Sequence, residues 1–210
     1  GATGTARKRT VPALKDSSLC EVTAIQGRDK LVLAAMAKDF SIPAIYENVD
    51  EMLRREQYDL VYIATPPFLH LEGVRAALSS GKPMICEKPL AQSYAEAKRI
   101  SYILKNEKAP PFMLAHHLRH QPAVTQIKSS IKAGEIGQVL SIWCQWGFQL
   151  NRNASNASWK LDPALGGVGP FNDAGIHLID LMLYLFGMPR KVFARSFRLD
   201  FPRSDDNATV

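Results

Sequence analysis

Throughout the first 115 residues, short apolar runs alternate with longer helical stretches. This order constrains the fold more than any other feature, because it builds a parallel sheet with helices covering its faces. The runs are mostly unalternated and rich in β-branched residues, as strands buried on both faces require. Strands are expected at residues 21–26 (EVTAIQ), 60–64 (LVYIA), 84–86 (MIC) and 112–115 (FMLA), with helices over 30–40, 48–56, 70–80 and 93–106. Ser79, Ser80 and Gly81, with Pro83 beyond them, punctuate the third of these helices. With 210 residues, 46% of them hydrophobic, the chain can bury a sizeable core, which excludes a disordered chain.

After His120 the pattern changes. A helix over 122–133 precedes an aromatic strand over 139–148 (VLSIWCQWGF), a polar loop over 150–158 and the turn Gly166-Gly167-Val168-Gly169. A strongly apolar helix over 173–186 follows, stopped by Gly187 and Pro189, and a strand over 192–201 comes last. The fold class expected is therefore α/β. A doubly wound parallel sheet occupies residues 1–118, and residues 119–210 hold an α+β domain with an open, mostly antiparallel sheet, incomplete in this chain. A Gly-rich turn that opens a helix ordinarily follows a strand. A first strand ahead of Gly1 and further C-terminal sheet are therefore expected, in a native protein longer than 210 residues.

Charge and cysteine content narrow the function classes. The net charge of +6, from 26 Lys+Arg against 20 Asp+Glu, reads first as a basic solvated surface. Only Arg7-Lys8-Arg9 and Arg54-Arg55 are contiguous, and neither is interleaved with stacking aromatics, so no nucleic-acid partner is expected. Cys20, Cys86 and Cys144 are few, odd in number and far apart, which argues against a disulfide framework and for a reducing, cytoplasmic setting. The longest apolar run, 176–186, contains His177 and Asp180 and is too short to cross a bilayer, so no membrane partner is expected. The N-x-S/T triplets at Asn153, Asn156 and Asn207 read as chance occurrences.

Several clusters could carry chemistry. The opening Gly1-Ala2-Thr3-Gly4-Thr5-Ala6 leads into a helix, whose first N–H groups could receive a pyrophosphate; an ordinary Gly-rich turn fits equally well. It departs from G-x-G-x-x-G/A at Thr3, with Gly4 displaced by one. At the end of the next strand, Gly27 stands where an NAD site places an acid. Arg28 follows with a guanidinium able to hold a 2′-phosphate, although a surface charge and an Asp29 helix cap are the simpler alternative. Thr65, Pro66, Pro67 and His70 form a stiff loop at the carboxyl end of the LVYIA strand, where ligands of parallel sheets bind; the segment could equally be a turn with its helix start.

Glu87-Lys88-Pro89 closes the MIC strand at the same crevice, and a partly desolvated Lys88 could act as acid or base; for the tripeptide alone a surface ion pair is the favoured reading. Asp173 and His177, four residues apart, share one helical face that Asp180 extends. They form either a proton-transfer pair or a cap and a core histidine. His116, His117 and His120 could join them around a metal, but lack a compact ligand signature, and no metal is expected. Cys86, within a strand, fills space and is not a nucleophile.

Taken together, GATGTA, TPPFLH, CEKPL and GGVGPFNDAGIHLID resemble, in order and spacing, the glucose-fructose oxidoreductase, inositol dehydrogenase and rhizopine-catabolism (Gfo/Idh/MocA) family over nearly the whole chain. The resemblance implies an N-terminal Rossmann domain binding NADP or NAD through Gly1, Thr3, Gly4, Thr5, Ala6, Gly27, Arg28, Thr65, Pro66, Pro67, His70, Glu87 and Lys88. It implies that Lys88 hydrogen-bonds the reacting oxygen, that Glu87 contacts the nicotinamide ribose and that His177 donates or accepts the proton. Asp173 would bind substrate and orient His177, and Pro89 would follow a cis peptide. Carbon 4 of the nicotinamide would exchange hydride with the substrate carbon.

The resulting expectation is an NADP-preferring dehydrogenase or reductase that interconverts a secondary alcohol and a ketone on a sugar, cyclitol or related polyol. Its C-terminal sheet would pack it into a homo-oligomer, a dimer or tetramer. Two other classes remain open from the residues: a non-catalytic nucleotide-sensing regulatory or scaffold protein of the same fold, and a metal-dependent hydrolase, ranked last. Arg119, His120, Trp146 and Trp159 are further residues that could face substrate.

Overall fold

The computed structural model describes residues 4–55, 57–106, 108–147, 162, 165, 171–197 and 207–209; for 196, 197 and 207–209 the backbone alone is considered. The chain divides into two compact units, Gly1–Ala115 and His116–Val210.

In the first unit a π-helical turn, Ala6–Thr10, runs into α1, Val11–Asp16. Four strand–helix steps follow: β1 Ala24–Gln26 and α2 Lys30–Phe40, β2 Ala44–Tyr46 and α3 Val49–Arg55, β3 Val61–Ile63 and α4 His70–Leu78, β4 Met84–Cys86 and α5 Tyr94–Asn106. The strand β5, Phe112–Leu114, ends the unit. All its strand pairs are parallel, as the strand–helix alternation requires. They lie in two ladders, β1–β2 and β3–β4–β5.

Each ladder has its own core. Val11, Ile25, Leu33, Met36 and Ile42 pack on β1–β2, while Ile63, Val74, Ala77, Met84, Cys86, Ala91 and Ile100 fill the core of the three-stranded ladder. The helices are set by local signals. Asp29 caps α2, its Oδ1 accepting from the amides of Leu31 at 3.0 Å and Val32 at 3.1 Å. Gly81, at φ +66°, closes the turn after α4, and its amide donates to the Leu78 carbonyl at 3.1 Å. β2 is the element that the sequence reading missed. Its three residues follow Pro43 directly and alternate with nothing, so only pairing with β1 makes them a strand.

His70, at the start of α4, is completely buried. Its Nδ1 lies 2.9 Å from the Pro89 carbonyl and 3.3 Å from that of Leu90, and its Nε2 lies 2.8 Å from the Thr65 carbonyl. The ring therefore sits between the loops that follow β3 and β4. Burial lowers its pKa below 6.5, against the opposing pull of the Thr65, Leu90 and Pro89 carbonyls and of Glu87.

The second unit begins with a 3₁₀ turn, His117–His120, and α6, Pro122–Ala133, and continues with a π-helical turn, Phe171–Gly175, that runs into α7, Ile176–Phe186. β6, Arg195–Phe197, pairs antiparallel with β7, Asn207–Thr209, so of the strand expected over 192–201 residues 195–197 form one; 198–201 lie outside the described residues. The strand expected over 139–148 is corrected. Residues 139–147 form no ladder, and Leu140 and Trp143 are exposed. An apolar run becomes a strand only when its N–H and C=O groups find a partner strand, and none of the described residues supplies one. The polar loop over 150–158 and the turn over 166–169 lie outside the described residues.

Two outcomes test this account. Asp29→Ala removes two cap bonds and should cost about 1 kcal/mol in urea unfolding, with the slope unchanged. Because the folded state holds His70 below its unfolded pKa of 6.5, the stability it contributes is present above pH 6.5 and is lost as pH falls through its folded pKa. The difference in unfolding free energy between wild type and His70→Gln should therefore shrink on acidification from about pH 8 to about pH 5; a difference that grows would contradict the assignment.

Candidate active site

The ladder β3–β4–β5 places the carboxyl ends of its strands side by side. Ile63 pairs with Cys86 and Cys86 with Leu114, and the ladder runs one step further: the Glu87 amide donates to the Ile63 carbonyl at 2.9 Å and the Ala115 amide to the Cys86 carbonyl at 2.8 Å. Thr65-Pro66-Pro67 and Glu87-Lys88-Pro89 are therefore neighbouring loops at one edge of the sheet, where open α/β sheets bind ligands. Pro66 is extended, Pro67 is buried as the first residue of a 3₁₀ turn, and the Leu69 amide closes that turn on the Pro66 carbonyl at 2.9 Å. The Lys88–Pro89 peptide is cis.

Glu87 is held from both sides. The Tyr62 hydroxyl donates to Oε1 at 2.8 Å, and the Lys88 amide donates to Oε2 at 3.2 Å. Burial, then Glu87, raises the pKa of Tyr62 above its ordinary 10, so the phenol stays a donor at neutral pH. Lys88 is partly buried. Cys86 is fully buried, and burial, then Glu87, pushes its thiol pKa up to about 12, which leaves no thiolate for nucleophilic chemistry.

The other expected cofactor residues divide three ways. Gly1 and Thr3 lie outside the described residues. Gly4 sits at φ +71° with open space where a Cβ would stand, Thr5 is exposed and Ala6 is buried at the start of the helix. Gly27 is buried, its amide donating to the Tyr46 carbonyl at 3.1 Å, and a Cβ there would lie 3.1 Å from Leu33; Arg28 beside it is exposed at the end of β1. Asp29 is the helix cap that the simpler reading made it. His70 lies against backbone carbonyls with both ring nitrogens and so braces the loops after β3 and β4. A nicotinamide dinucleotide fits these residues: the Thr65 Oγ1 is buried with no hydrogen-bond partner among the described residues, a polar atom left for a ligand to engage.

In the second unit, Asp173 lies in the π-helical turn and His177 and Asp180 on the buried stripe of α7, each of the latter two 5% exposed. Trp146 stacks on the His177 ring at 5.5 Å between centroids and 21° between planes, and His117 meets it edge-on at 5.0 Å. Asp180 accepts a two-pronged hydrogen bond from Arg119, the Nε arm at 2.7 Å, and its Oδ1 lies 3.6 Å from the His116 Nε2. That carboxylate raises the pKa of Arg119 further above its ordinary value, chiefly through the hydrogen bond. Among the described residues no group of three His, Cys, Asp or Glu side chains is placed to hold a metal ion. The sequence reading named Arg119 and Trp146 without roles and missed Tyr62; a lone Tyr in a strand gives no signal until the ladder is known. Trp159 lies outside the described residues.

Comparison with known proteins follows the same division. Residues 1–116 match the model described as an oxidoreductase family with an NAD-binding Rossmann fold, and residues 124–210 match that of the GFO/IDH/MocA C-terminal domain. The chain is 31% identical over 194 residues to D-xylose 1-dehydrogenase (NADP(+)) 2 of Haloferax volcanii, covering 92% of this chain and 58% of that protein. It is 30% identical over 202 residues to D-apiose dehydrogenase of Paraburkholderia graminis, covering 94% of this chain and 52% of that one. A solved levoglucosan dehydrogenase in complex with NADH and levoglucosan superimposes with a TM-score of 0.79 at 26% identity, over 97% of this chain and 57% of that structure. The chain thus spans little more than half the length of these relatives. Matched by family models along both units, it belongs to the Gfo/Idh/MocA oxidoreductase family.

Proposed function

We propose that the protein carrying this chain is an NADP-preferring dehydrogenase or reductase that interconverts a secondary alcohol and a ketone on a sugar, cyclitol or related polyol. The observation that carries this reading is the adjacency of Thr65-Pro66 and Glu87-Lys88 at one edge of the parallel ladder, in a family whose members here are named as sugar dehydrogenases. A bound nicotinamide dinucleotide supplies the two-electron exchange with the substrate carbon. The Gly4–Ala6 turn faces its pyrophosphate, Thr65 offers an unpartnered hydroxyl, and Glu87 takes the nicotinamide ribose. Arg28, exposed one residue past the position where an NAD site carries an acid, holds the 2′-phosphate.

Lys88 donates a hydrogen bond to the reacting oxygen and stabilises the negative charge that develops there. His177 takes the hydroxyl proton in oxidation and returns it in reduction, with Asp173 orienting the ring and binding substrate. Stacking on Trp146 restricts that ring to one plane. The division into domains at residues 1–118 and 119–210, the homo-oligomer built through the C-terminal sheet, and the cytoplasmic setting inferred from cysteine usage belong to the same proposal.

Lys88→Ala should lower kcat by about 10²–10⁴ while NADPH affinity changes little; unchanged turnover would remove Lys88 from the chemistry. In parallel fluorescence titrations with NADPH and NADH, Arg28→Ala should weaken NADPH by about tenfold and leave NADH unaffected. A preserved preference would show that Arg28 does not read the 2′-phosphate.

A further inference from the structure

We propose that Tyr62 is a positioning residue of the coenzyme site: its hydroxyl fixes the Glu87 carboxylate that closes β4. The inference rests on the reading of Glu87 as a coenzyme contact and adds a residue that no motif assigns.

The ladder register makes the contact. Tyr62 pairs with Ile85, and Glu87 lies two residues beyond Ile85 on the same face of the sheet, so Tyr62 and Glu87 are diagonal neighbours within reach of a long side chain. A phenylalanine would pack against that face as well as a tyrosine does. What the hydroxyl adds is one hydrogen bond to a carboxylate, of the strong, charge-assisted kind. The Lys88 amide occupies the other carboxylate oxygen, so both ends of Glu87 are engaged and its rotation is stopped. The carboxylate is thus oriented before the ligand arrives. Fixing it in advance removes an ordering cost from binding.

The test is a double-mutant cycle on NADPH affinity, made in the full chain with Tyr62→Phe and Glu87→Ala, alongside thermal unfolding of every variant. Tyr62→Phe should weaken NADPH binding by about tenfold in the wild-type background, the loss of one hydrogen bond to a charged group, and should have no further effect once Glu87 is alanine. Tyr58→Phe is the control: its hydroxyl donates to the Leu53 carbonyl at 3.2 Å, away from the site, and its removal should leave affinity unchanged. Tyr62→Leu, which likewise lacks the hydroxyl, should weaken NADPH in the same direction and carries the test if Tyr62→Phe fails to fold. Wild-type affinity in Tyr62→Phe, or losses that add in the double variant, would overturn the assignment while leaving the dehydrogenase reading intact. A folded wild type that binds neither NADPH nor NADH would overturn that reading, and this inference with it.

Discussion

The parallel ladder β3–β4–β5 is the constraint on which the rest of the first unit depends. Parallel strands run in one direction, so their carboxyl ends meet at one edge, and residues far apart in sequence become neighbours there without any direct attraction between them. Thr65 and Glu87 are brought together in this way. The ladder's own hydrogen bonds, continued by the Glu87 and Ala115 amides, carry the register past the last strand residue and into the loops. Its core holds the strands rigid: Met84 and Cys86 on β4 are buried against Val74 and Ala77 of α4 and Ile100 of α5, an apolar contact that no loop motion disturbs.

On this scaffold two polar side chains set the loops. His70, completely buried, spans the gap between the Thr65 carbonyl and those of Pro89 and Leu90. Tyr62, half-buried on β3, holds the Glu87 carboxylate from the neighbouring strand end. Such polar contacts hold geometry at the expense of desolvation. The second unit uses the same device in ionic form. Asp180, nearly inaccessible on α7, would be costly as a bare carboxylate, and the two-pronged Arg119 bond compensates it and anchors the turn His117–His120 on the helix. His117 and Trp146 then bracket the His177 ring, which leaves its orientation little freedom.

Much of this was legible in the sequence, for identifiable reasons. The helices over 30–40 and 122–133 fall on the expected residues because capping and apolar spacing act within a few residues of one another. Lys88 and Glu87 stood out because charge directly after a buried strand is costly unless used, and Asp173 and His177 because a four-residue spacing puts them on one face. The aromatic run over 139–147 misled for the opposite reason. Its composition is that of a strand, but a strand is a relation between two segments, and one segment carries no record of its partner.

The sequence by itself determined the parallel α/β class of the first unit, the positions of its helices and the identity of the candidate charged and imidazole groups, since each rests on local periodicity or on side-chain chemistry. Only the tertiary structure decided the two-ladder arrangement, β2 as a strand, His70 as a staple between two loops, and Tyr62 as the partner of Glu87. Those depend on strand register and burial, which arise from distances in space between residues some 20 to 25 positions apart and are not written in any one stretch of the chain.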